Sequence, residues 1–187
     1  MHILFPLLFF LAQPFWETKP PERWSGLEIE ELLSCSPWAQ ATGPSPEVLV
    51  FLATAEPVED AEEELRLRKK DPFPEPDPDY ASYLSEHRDN TIVLAIRYDT
   101  LAGFSKPEEL HSLEEESVMI VARRTYKMIG YFPPTPSDPV LRLVFPRQLQ
   151  PGDASVIFRL YLAGMSFPER EARFRVKDLW YHGKLTL

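Results

Sequence analysis

The sequence predicts a mainly β protein, an antiparallel β-sandwich-like single domain with one N-terminal helix and short surface helices. Three observations carry that expectation. First, Val156–Leu162 and Ala172–Lys177 alternate apolar and polar residues with period two, as strands with one buried face do. Second, four further apolar runs, Glu47–Ala53, Thr91–Tyr98, Val118–Ala122 and Val140–Phe145, are each short and bounded by turn residues. Third, twenty prolines in 187 residues leave little room for long helices.

Taken in order, Met1–Ala12 opens with a ten-residue apolar run from Ile3, the length of an export-signal core and too short for a membrane span. The flanking region holds His2 and no Lys or Arg, and no A-x-A cleavage pattern follows, so a first buried strand or helix stands against export. Residues 13–187 then read as one β-rich domain, a size at which a single core suffices.

Trp24-Ser25-Gly-Leu-Glu28-Ile29 has the pattern of a helix start. Ser25 is placed to cap, Glu28 to complete a capping box, and Trp24 to staple onto Ile29. Ile29, Leu32 and Leu33 form one apolar stripe, and Pro37 ends the helix. Trp24 and Trp38 are expected to anchor this helix in the core, the alternative being a stacking surface for a sugar or base. Glu47–Ala53 reads as a strand covered on both faces. Glu59–Lys70 reads as a surface helix with its acids first and its bases last, the order that complements a helix dipole.

Asp71–Asp79 alternates proline and is expected to be an extended spacer rather than a ligand for a proline-reading groove. Tyr80–Arg88 suits a short helix, Lys106–Glu116 a helix or a turn, and Pro133–Pro139 a rigid loop. At the C-terminus, Val156–Leu162 and Ala172–Lys177 should pair antiparallel, with Lys184–Leu187 as a third run after a reversal at His182-Gly183. At Lys177-Asp178 the apolar register slips by one, which a β-bulge would explain.

The net charge of −9 is unevenly spread: residues 138–187 hold eight Lys/Arg against five Asp/Glu, so the acidic excess lies before them. That balance argues against nonspecific nucleic-acid binding, which needs cations to neutralise phosphates. One cysteine, Cys35, excludes an intramolecular disulfide and a multi-thiolate zinc site.

Signatures of catalysis are missing. There is no G-x-S-x-G, H-E-x-x-H, Walker loop or G-x-G-x-x-G, and the seven glycines stand singly. His87, His111 and His182 are far apart, and the pair His111/Glu114 is better read as a solvated helix face. No catalytic, cofactor or metal residues are therefore named. The candidate binding or structural positions are Trp24, Trp38, Asp178, Trp180 and Tyr181, the aromatics and the one acid set within strong apolar patterns.

Two segments carry a resemblance. Trp24-Ser-Gly-Leu-Glu-Ile-Glu-Glu-Leu-Leu followed by Ser36-Pro-Trp-Ala39, and Arg175-Val-Lys-Asp-Leu-Trp-Tyr-His-Gly-Lys-Leu-Thr-Leu187, resemble the two ends of an uncharacterised family of small secreted bacterial proteins. Val144-Phe-Pro-Arg147 resembles an internal signature of that family. The resemblance covers the ends and not the middle; it implies export and a single domain, and no activity. The combined expectation is an exported, non-enzymatic binding or structural module of the bacterial envelope or periplasm. Its partner is expected to be another envelope protein, with no transmembrane span and no cofactor. The alternative is a small secreted hydrolase with a carboxylate-based site. A cleft holding two acids of raised pKa would favour the hydrolase, and an apolar patch or open sheet edge the binder.

Overall fold

The apolar runs pair into two antiparallel sheets that face each other, with helices on the far side of one. The computed structural model describes residues 13–68, 77–97, 104, 106–136 and 138–187. The first sheet has the order β1-β2-β3-β7-β6, from Ala39–Thr42, Val48–Leu52, Thr91–Arg97, Val140–Pro146 and Gly130–Phe132. The second has the order β5-β4-β8-β9, from Arg124–Lys127, Val118–Val121, Ser155–Tyr161 and Glu169–Arg175. A separate hairpin joins β10, Trp180–Tyr181, to β11, Lys184–Leu185.

Register explains why the two sheets differ in composition. Ile92, Leu94 and Ile96 of β3 lie opposite Phe145, Leu143 and Leu141 of β7 on one face. From that face Phe145 meets Phe158 of β8, ring centroids 5.2 Å apart, so it is the sandwich interior. The opposite face of β3 and β7 is covered by helices, and both strands are buried on both sides as continuous apolar runs should be. The second sheet has one fully buried face. Val156, Phe158 and Leu160 of β8 and Ala172 and Phe174 of β9 point inward, while Arg159, Glu171, Arg173 and Arg175 face solvent.

Both long margins of the sandwich are managed. On one, Gln40 Nε2 and Thr42 Oγ1 of β1 donate to the carbonyls of Arg173 and Glu171 on β9, at 3.0 and 2.5 Å. On the other, the chain passes from β5 in one sheet to β6 in the other through Met128 and Ile129, whose N–H donates to Val144 O. The exposed edge strand β5 carries Arg124 and Lys127, charges that discourage pairing with another chain.

The helices are α1 Phe15–Thr18, α2 Gly26–Ser34, α3 Glu56–Arg68, α4 Pro78–His87 and α5 Pro107–Glu116. At α2 the capping box is complete: Ser25 Oγ accepts from Glu28 N at 3.2 Å, and Ser25 N donates to Glu28 Oε2 at 2.7 Å. Ile29, Leu32 and Leu33 are its buried stripe. The Lys19 ammonium, 2.5 Å from Glu28 Oε1, together with the Ser25 N–H, holds the Glu28 carboxyl down at about 2. A carboxyl depressed by folding contributes stability that is present above its ordinary range and lost as pH falls toward 2. Ser25→Ala should cost about 1 kcal/mol. In urea titrations its deficit should shrink between neutral pH and pH 2, because acid weakens the same cap in the parent protein.

Four expectations need correction. Lys184–Leu187 does not extend the β8–β9 pair as a meander; the chain turns away at a 3-10 turn, Val176–Asp178, and forms its own hairpin. That turn, not a β-bulge, produces the slip in apolar register at Lys177-Asp178. The surface helix begins at Glu56 rather than Glu59, and Pro57, Val58 and Ala61 bury one side of it. The proline-rich stretch does not run to Asp79 as a spacer: Asp77 caps α4 by accepting from Asp79 N at 2.8 Å, and Pro78 is the first residue of that helix. Its residues 71–76, like the apolar run 1–12, lie outside the described residues.

Candidate binding cleft

The aromatic candidates converge, but as core. Trp38 and Tyr181 meet edge to face at 6.2 Å, Trp16 packs on Trp38 at 5.8 Å, and Phe15 packs on Trp24 at 5.7 Å. Trp24, Trp38 and Tyr181 are each buried, and their polar atoms are spoken for. Trp24 Nε1 donates to Lys19 O at 3.0 Å and Trp38 Nε1 to Thr186 O at 3.3 Å. Tyr181 Oη donates to Asp60 Oδ2 at 3.2 Å. A buried indole or phenol needs such a partner, which fixes its pose and leaves no face for a ligand. Asp178 is half-buried on the 3-10 turn and pairs with Arg175 Nε at 2.6 Å. Trp180 alone of the five is exposed, at 41%.

Among the described residues two carboxyls are held above their ordinary range, both on α3. Burial raises Asp60, opposed by the hydrogen bond from Tyr181, and the same neighbourhood raises the Tyr181 phenol. Burial also raises Glu62, opposed by Arg142. Glu62 belongs to a polar cluster between the helices and the first sheet. There Arg142 Nη1 donates to Asp138 Oδ2 at 2.6 Å, and the guanidinium lies over the Tyr80 ring at 4.4 Å. Asp60 and Glu62 are two apart on one helix, so their side chains leave it in different directions and do not form a pair.

The cleft lies elsewhere. It has a volume of about 560 Å³ and runs between the β1–β2 loop and the β8–β9 pair. Thr42, Gly43 and Pro44 line one side, and Glu116, Arg159, Leu160, Glu169, Arg170 and Glu171 the rest. Arg159 is held by Glu171 at 3.3 Å, while Glu116 and Glu169 make no ion pair among the described residues. Arg170 is the unusual member. It occupies an inward position of β9, in phase with Ala172 and Phe174, and is only 4% exposed.

Arg170 escapes the sequence reading as an inward residue because that reading starts the strand at Ala172, whereas β9 starts at Glu169. The signal was present: counting back by two from Phe174 places Ala172 and then Arg170 on the buried face. Among the described residues no group of three or more His, Cys, Asp or Glu side chains could hold a metal ion, and no helix is long and apolar enough to cross a membrane. No family model, curated protein or solved structure matches this chain.

Proposed function

We propose that the protein is an exported, non-enzymatic binding module of the bacterial envelope or periplasm, and that the cleft beside β8 and β9 receives part of another envelope protein. One observation carries the choice of binding over hydrolysis: the carboxyls of raised pKa, Asp60 and Glu62, do not line the cleft. Acid–base work needs such groups convergent on one reacting atom. The cleft instead presents charges of both signs on a rigid sheet, which suits recognition of a partner's polar groups. Export is supported by the apolar run Ile3–Ala12 and by the family resemblance of the two chain ends.

The test is capture from envelope extract with two baits, the parent protein and Arg159→Glu. Arg159 is exposed but lies opposite Glu171 on β9, so the folding of the variant bait is checked by its melting temperature before capture. A partner held by the parent and lost by the variant supports the reading, and a partner held equally by both removes the cleft from it. Intact mass of the product from a secreting host tests export: a cytoplasmic product retaining Met1 would overturn that half.

A further inference from the structure

Among the described residues, the buried side-chain nitrogens without a hydrogen-bond partner are Nε and Nη2 of Arg170. Its third nitrogen, Nη1, donates to the carbonyls of Phe167 and Glu169 and so fixes the plane of the guanidinium. A guanidinium does not shed its proton, and burying its charge with two of its three nitrogens unbonded is disfavoured. Ala172, Phe174 and Val176, which follow it on the inner side, are apolar, so packing alone does not call for arginine at this position.

The opposite wall is fitted to it. Gly43 has φ +89°, and a Cβ there would overlap Cδ and Nε of Arg170. Thr42 Oγ1, bonded to Glu171 O, holds that loop over β9. Glycine at this point both adopts the left-handed backbone and leaves space for the guanidinium.

The two free nitrogens share one edge of the guanidinium, the side-on fork whose spacing matches the two oxygens of a carboxylate. Phosphate would also fit a fork, but Glu116, Glu169 and Glu171 around it oppose a doubly charged anion. The same acids favour a cation close beside the bound anion. Resting on the binding reading above, we propose that the Nε–Nη2 edge of Arg170 pairs with a carboxylate of the partner polypeptide, with a basic group of that partner against Glu116 and Glu169. Both nitrogens are shielded from solvent in this conformation, and Gly43 stands against Nε, so the carboxylate reaches them when the loop after β1 draws aside. Residues 43–47 of that loop are exposed, so little buried contact opposes the movement.

The experiment follows the Nε–H resonance of Arg170 in the folded protein during titration with defined probes. These are acetyl-Ala-Ala-Lys with a free carboxylate, the same peptide amidated, amidated acetyl-Ala-Glu-Lys, sodium acetate and sodium phosphate. The free-acid peptide should shift the resonance saturably, acetate should do so more weakly, and the first amide should bind at least about tenfold less tightly, as loss of a charge-assisted bidentate pair implies. A shift with the amidated glutamyl peptide assigns the carboxylate to a side chain, and its absence assigns it to a chain end. Arg170→Lys keeps the charge but not the fork and should weaken binding of whichever peptide binds. No shift with any carboxylate, or phosphate bound as tightly as the best peptide, overturns the proposal. Capture of the envelope partner undiminished by a folded Arg170→Lys would leave the binding reading standing and overturn this one.

Discussion

Removing Lys184–Leu187 is expected to lower the melting temperature sharply or to abolish soluble folding. Leu187 is 1% exposed, and burying a leucine contributes about 1.5–3 kcal/mol. The same deletion removes the carbonyl of Thr186 that accepts from Trp38 Nε1, and leaving a buried donor unpaired costs about 1–3 kcal/mol. It also takes away β11 and with it the pairing that holds Tyr181 against Trp38. A domain is stable by only about 5–15 kcal/mol, so these losses are a large part of the whole. Leu67→Ala, at a position 70% exposed, is the control and should change stability by less than about 0.5 kcal/mol. Paired denaturation curves decide it; a truncated chain that melts with the parent would show that the C-terminal hairpin is an appendage.

The elements that could be read from the sequence are those whose physics is local. The Ser25/Glu28 capping box needs only four residues, and it forms as its spacing requires. Alternation marked β8, and the apolar runs marked β2, β3 and β7 as strands, β2 as one covered on both sides. The His182-Gly183 reversal was also legible, with both residues at positive φ.

What escaped has non-local causes. β1, Ala39–Thr42, is short and of mixed character, and it is a strand because β2 and the β9 margin lie beside it. The β4–β5 turn uses Ala122 and Arg123 at positive φ, where glycine or asparagine would have announced it. β10 and β11 looked like a continuation of the large sheet because two residues per strand cannot show which sheet they join. The cleft escaped for the same reason: Gly43 and Arg170 are far apart in sequence, and only the meeting of β1 with β9 gives either one a meaning. Arg142 looks solvent-facing in Val-Leu-Arg-Leu-Val, yet the helices that bury it are specified elsewhere in the chain.

That buried arginine sets the second large effect. Arg142 and Asp138 are 2.6 Å apart, with side chains only 7% and 11% exposed. Breaking such a pair from one side strands the other charge, at a cost of about 3–5 kcal/mol. Asp138→Ala should therefore lower the melting temperature by about 10 °C, taking about 2–4 °C per kcal/mol for a chain of this size. The Thr135–Asp138 turn bonds through the Asp138 main chain as well, so part of the local geometry should survive the substitution. Adding Arg142→Met to Asp138→Ala removes the stranded charge and keeps an unbranched chain against the Tyr80 ring. The double variant should then recover most of the loss, since replacing both partners of a buried pair is far cheaper than replacing one. Urea denaturation of the parent, both single variants and the double variant completes the cycle. A double variant no more stable than Asp138→Ala would mean that Arg142 acts through something other than its pairing with Asp138, and Glu62 is the group to test next because Arg142 opposes its burial-raised proton affinity.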